Sequence, residues 1–133
     1  MTFPLQPDHE MNKPMKITVQ VVSADQIRVP FQVGEDRSRT WVLSRTPQGI
    51  QLKHDHRHAD GTPDRLTDYG GTDAGTRLGI QLIFPADAQT TALLPEAVSN
   101  VWSLRLSADQ KHLFYYLERH AQPRFEAAFD LSP

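Results

Sequence analysis

A two-residue alternation of apolar and polar side chains recurs from Lys16 to the end of the chain, and such a rhythm can be satisfied only by β-strands. Ile17, Val19 and Val21 alternate with Thr18 and Gln20, and Ile27, Val29, Phe31 and Val33 repeat the pattern after a turn at 23–26. Successive strand residues point to opposite faces, so each run offers one apolar face to a core. Trp41 and Leu43 share a face within 38–46, Ile50 and Leu52 follow the breaker Pro47-Gln48-Gly49, and Leu78, Ile80, Leu82 and Phe84 alternate within 76–84. Trp102, Leu104 and Leu106 mark another strand within 98–106. The segment 111–118 places Leu113, Tyr115 and Leu117 opposite His112, Phe114 and Tyr116, and Phe125, Ala127, Phe129 and Leu131 close the series.

The connections are short. Residues 34–37, 107–110 and 119–123 are expected as turns or loops, Gly70-Gly71 and 72–75 as loop, 66–69 and 89–94 as short strands, and Pro95-Glu96-Ala97 as a single helical turn. Pro30, inside an otherwise regular strand, donates no ladder bond and predicts an edge or a bulge. About eight to ten strands with no sustained helical periodicity define an all-β antiparallel meander. A single open sheet of that size leaves its edges undefended, which favours closure into a small barrel, with a two-sheet sandwich as the alternative.

At 133 residues the chain has the length of one domain. It divides into a proline-bearing arm at 1–14, expected to be flexible, and a single β domain at 15–133. The 14 basic and 16 acidic residues give a net charge of −2, without the basic surplus that nucleic-acid binding demands. Cysteine is absent, which removes thiol catalysis and disulfides. The first fifteen residues lack the charged start and apolar stretch of a signal peptide. The longest apolar run, about five residues, is far below the ~20 of a membrane helix. A cytoplasmic location is the default expectation, with a secreted or periplasmic one if a leader has been removed.

The segment Lys53–Gly71, KHDHRHADGTPDRLTDYGG, is where chemistry is expected. If the alternation runs on past Leu52, then His54, His56 and His58 follow it onto the inward face, where polar groups must be paired, neutral or ligated. Histidines two apart on a strand stand about 6.6 Å apart, so two imidazoles can share one ion at ~2.0 to 2.1 Å. Asp60, Asp64, or the distant His112 or His120, would complete such a set, and zinc, iron, nickel or manganese would suit it. The plainer expectation is a polar strand end in which Asp55, Arg57, Asp60 and Arg65 form a hydrogen-bonded network. A metal-free ligand site would draw on His54, His56, His58, Arg57 and Tyr69, with Trp41 and Trp102 as stacking aromatics.

His54-Asp55-His56, or equally His56-Arg57-His58, with Gly49 upstream, is similar to the metal motif of the cupin family, but no glutamate follows within a few residues and no second histidine motif lies downstream. No cupin role is carried over. Through HDHRHADGTPD at 54–64, Tyr69-Gly70-Gly71, Phe84-Pro85-Ala86-Asp87 and Asn100-Val101-Trp102, the chain resembles a poorly characterised group of small bacterial all-β proteins. That resemblance supports the choice of site region and implies no reaction. Three functions follow as expectations. The first is binding of a small molecule or ion at a barrel mouth near His54–Tyr69. The second is a metal-dependent enzyme using His54, His56 and His58. The third is a structural or protein-interaction domain without a small-molecule site. An outward tyrosine of the Tyr115-Tyr116 pair, beside Leu113 and Leu117, makes a homodimer a further expectation.

Overall fold

The computed structural model describes residues 15–73 and 81–131. The arm expected at 1–14, and the part of the expected 76–84 strand that precedes Gln81, lie outside them. Ten strands are formed in the described chain: β1 (Met15–Ile17), β2 (Gln20–Ser23), β3 (Gln26–Val33), β4 (Asp36–Thr46), β5 (Gly49–His56), β6 (Tyr69–Thr72), β7 (Gln81–Pro85), β8 (Val101–Leu106), β9 (His112–Arg119) and β10 (Gln122–Asp130). A short helix α1 (Ala88–Leu93) and a 3-10 turn at Pro95–Ala97 interrupt the series between β7 and β8.

The strands form two antiparallel sheets, and neither closes into a barrel. One is six-stranded, in the order β1-β3-β4-β5-β6 with β2 also on β3; the other is four-stranded, in the order β10-β9-β8-β7. The expected barrel is therefore replaced by two sheets over one core. The physical reason lies at the corner between β6 and β7. There the sheets touch through one isolated bridge, Gly71 to Ala86, and the chain then turns into α1 instead of continuing a ladder.

Alternation placed the inward residues of β3, β4, β5, β8 and β10 as expected, but Val19, Val21 and Leu131, read onto apolar faces by the same rule, are exposed. Val29, Phe31, Trp41 and Leu52 from the six-stranded sheet meet Phe84, Trp102, Leu104, Tyr115, Phe125 and Phe129 from the other in a single buried cluster. The aromatics interlock across the gap: Trp41 stacks on Tyr115 with centroids 4.5 Å apart, and Phe31 meets Phe129 edge-on at 5.9 Å. Such offset and edge contacts contribute beyond the area they bury, and they fill the space a barrel would have left open.

Pro30 predicts an edge or a bulge; β3 is paired on both sides, so the edge is not found, while the β3/β4 register shifts one residue beyond the proline, between Phe31 and Val33. Its missing N–H shows in the neighbour instead. β1 pairs with β3 as far as Ile17 opposite Phe31, and β2 resumes at Gln20 opposite Arg28, so the edge strand breaks at the level of Pro30. The segment 89–94, expected as a strand, is helical. Asp87 caps it by accepting from the Thr90 N–H at 2.9 Å, a local signal that outweighs β-branched Thr90 and Thr91. The expected loop at 119–123 is a two-residue hairpin in which His120 and Ala121 both take positive φ, 54° and 58°, the backbone that matches strand twist.

A cleft rimmed by arginine

Strand β5 carries Leu52 and His54 inward as its rhythm predicts, then stops at His56. Beyond it the chain folds back along the strand's free edge: Asp64 N–H donates to the His56 carbonyl at 2.8 Å, His56 N–H to the Thr67 hydroxyl at 2.8 Å, and Asp68 N–H to the His54 carbonyl at 2.7 Å. The alternation is therefore spent before His58, and the three imidazoles part company.

His54 is 2% exposed. Its Nδ1 lies 3.0 Å from the Tyr69 carbonyl oxygen and its Nε2 2.9 Å from the Tyr115 hydroxyl, while its ring stacks on Tyr69 with centroids 4.5 Å apart. Burial lowers its pKa to about 4, opposed by the Tyr69 carbonyl and reinforced by Arg39. Both ring nitrogens are engaged by protein, so neither has a lone pair for a metal. His56 is half-buried. His58 is largely exposed, and its Nδ1 is 3.8 Å from Asp64.

The expected acidic ligands are occupied as turn caps. Asp60 accepts from the Thr62 hydroxyl and amide at 2.6 and 2.9 Å, bonds that hold its carboxyl below the usual range. Asp64 accepts from Leu66 N–H at 2.8 Å, with the same effect. Among the described residues no three histidine or acidic side chains are gathered to hold a metal. His112 begins β9 in the other sheet and His120 lies in the β9–β10 turn, where it meets Ser99 at 3.2 Å. The zinc, iron, nickel or manganese site expected from His54, His56, His58, Asp60 and Asp64 is thus overturned by geometry, and the metal-dependent enzyme built on it falls as well. The plainer expectation fits part of the loop: Arg57 donates to Asp55 at 3.1 Å and to the Gly61 carbonyl at 3.0 Å, and Arg28 reaches Asp55 at 2.6 Å.

Of the residues expected at a ligand site, His54, Tyr69, Trp41 and Trp102 do come together. They line one end of the inter-sheet space, where an open cleft of about 320 Å³ is found. His56, His58 and Arg57 do not line it. Since neither sheet closes, the small-molecule or ion site expected at a barrel mouth near His54–Tyr69 is not formed.

Three arginines at this cleft were not anticipated: Arg39, Arg119 and Arg124. Two were readable. Arg39 precedes Trp41 by two residues and opposes core Phe31, and Arg119 extends the inward series of Leu113, Tyr115 and Leu117. Each is an arginine at the inward end of an apolar strand face. Arg124 carried no such signal. The β9/β10 register shifts between Pro123 and Phe125, so Arg124 is the extra residue of a bulge, a device that re-aims a side chain.

Fold and site together define a class: an all-β domain of two antiparallel sheets sharing an aromatic core, with an arginine-rimmed cleft at one end. No family model, curated protein or solved structure matches the chain. No helix among the described residues is long and apolar enough to cross a membrane.

Proposed function

We propose that the protein is a protein-interaction domain whose edge strand β2, which among the described residues pairs with β3 alone, associates with a strand of another chain, in the first instance a second copy of itself. The observation that carries this reading is the exposure of Val19, Val21 and Val22, at 56%, 79% and 55%. Val21 opposes Ile27 and so lies on the core side of its sheet, yet the second sheet does not reach it. Unpaired edges template association, and soluble proteins usually blunt them with charge or proline. Between Met15 and Ser23 the only charged residue is Lys16, and a register shift after Val21 is the only irregularity within β2. Main-chain bonds along such an edge supply affinity, and alternate side chains supply selectivity.

The dimer patch expected around Tyr115 and Tyr116 has a different character. Leu113 and Leu117 pack on the core beside buried Tyr115, and Arg105 covers the outward Phe114 ring at 4.2 Å. Light scattering from micromolar to near-millimolar concentration tests the edge reading. A mass that rises toward the dimer is expected, as is loss of that rise in Val21→Lys at unchanged melting temperature. A monomer throughout, with edge amides that exchange equally fast in wild type and Val21→Lys, would count against it.

A further inference from the structure

The cleft at the end of the inter-sheet space gathers three arginines, Arg39, Arg119 and Arg124, on an aromatic floor. Arg119 is steadied by its Nε–H, which donates to the Asn100 side-chain oxygen at 2.7 Å, and Asn100 is itself 4% exposed. That bond leaves the two terminal amino groups of the guanidinium for another acceptor. Among the described residues no carboxylate lies within ion-pair distance of Arg119 or Arg124. Burial and the neighbouring Arg124 depress the pKa of Arg119, opposed by the Glu96 carboxylate, which lies outside ion-pair distance. In the same lining, neutral His54 packs against Tyr69 and Trp102, with ring centroids 4.5 and 5.2 Å away, and those two rings are 6.1 Å from each other. Trp41 adds a buried indole N–H that has no acceptor among the described residues.

Buried donors without acceptors are costly, and like charges gathered at one rim are stabilised by an anion. Guanidinium groups match carboxylates in a planar, two-bond geometry. The volume narrows the choice of occupant. About 320 Å³ is the lower end of what encloses a drug-sized ligand, and this cleft is open, so it accommodates one or two side chains of a longer chain whose remainder lies on the surface.

We propose that the cleft binds an acidic segment of a partner protein, with a carboxylate bridging Arg119 and Arg124 and an adjacent aromatic side chain seated against Tyr69 and Trp102. This extends the interaction reading to a second surface and does not depend on the edge strand.

Fluorescence anisotropy with a labelled peptide of sequence GEEFEEG, with GQQFQQG and GEEAEEG as comparisons, tests it on the full chain. The acidic aromatic peptide is expected to bind about tenfold or more tightly than either comparison, since a charged hydrogen bond contributes on that scale. Arg124→Gln lies at an exposed bulge and should fold normally, and it is expected to weaken binding by about tenfold, as is Arg119→Gln. Arg45→Gln, at an exposed arginine whose guanidinium is 3.9 Å from Asp25 and which does not line the cleft, should leave the affinity unchanged. Absence of binding at millimolar peptide, equal binding of GQQFQQG, or equal losses in Arg45→Gln and Arg124→Gln would each overturn the proposal. Displacement of the peptide by N-acetylphenylalanine at the peptide's own concentration would also overturn it, because a small carboxylate would then suffice. A monomer that binds GEEFEEG would sink the edge reading alone; a dimer indifferent to it would sink this one alone.

Discussion

The two hydrogen bonds of His54 fix its tautomer, because a carbonyl oxygen only accepts and the Nδ1 facing Tyr69 must therefore carry the proton. Nε2 is left to accept from the Tyr115 hydroxyl, and the ring is a neutral bridge between the sheets. Its pKa falls from 6.5 to about 4. Between those values the unfolded chain binds a proton that the native state refuses, so the stabilisation is complete above about 6.5, is withdrawn as pH falls, and is gone below about 4. The loss integrates to about 3 kcal/mol. His54→Gln should flatten the dependence of unfolding free energy on pH between 7 and 4.5 in urea melts. The carboxyls of Asp36, Asp60, Asp64 and Asp109 are held below 3.8, so their contributions disappear at lower pH and do not obscure that window. An unchanged slope in His54→Gln would mean that the imidazole is not the group responsible. Tyr115→Phe removes the donor to Nε2 and should cost about 1–2 kcal/mol at pH 7.

Helix α1 is held by one side chain more than by its own length. Thr90, fully buried, accepts from the Gly70 N–H at 2.7 Å and donates to the Gly70 carbonyl at 2.9 Å, completing the edge of β6 where no strand does. Asp87 caps the helix, accepts from Lys53 at 2.5 Å, and sends its own N–H to the Gly70 carbonyl at 3.0 Å. Thr90→Val keeps the shape but leaves the Gly70 N–H without an acceptor, while Asp87 N–H still serves the carbonyl. A loss of about 1–3 kcal/mol in denaturant melts is expected; a loss below about 0.5 kcal/mol, the size of an ordinary surface change, would show that the hydroxyl is dispensable. Gly71→Ala should be worse, since a Cβ there would overlap the Pro85 carbonyl oxygen where, among the described residues, the sheets bridge. This corner also marks where the sequence stopped being legible. Strand faces follow from a period of two, so Trp41, Leu52 and Trp102 could be placed inward from spacing alone, whereas large residues on both faces of 111–118 left Tyr115 and Tyr116 undecided. Gly70-Gly71 looked like a loop because the demand for glycine comes from Leu52 and Pro85, residues far away in sequence. In the site, His54 and its aromatic neighbours were readable for the same reason as the core. Arg124 was not, because a bulge shifts the period locally.

At the scale of the molecule, the two sheets have almost no ladder in common, so whatever makes them unfold together must be the aromatic interface. Trp41 belongs to the six-stranded sheet and Trp102 to the four-stranded one; both are buried, at 1% and 2% exposure. Each is the indole its own sheet reports through. Trp41 stacks on Tyr115 of the facing sheet, and Trp102 lies 5.2 Å from His54 of the other. Neither side of the core is sealed without its partner. Trp102→Phe leaves Trp41 as the sole indole, and Trp41→Phe leaves Trp102. Each change shrinks a buried ring and should lower the midpoint, but within each variant the fluorescence of the remaining indole and the far-ultraviolet circular dichroism should follow one common transition, as two-state unfolding requires. Separate midpoints for Trp41 fluorescence and circular dichroism would mean that one sheet survives the other, and the shared core could not then be the bond between them.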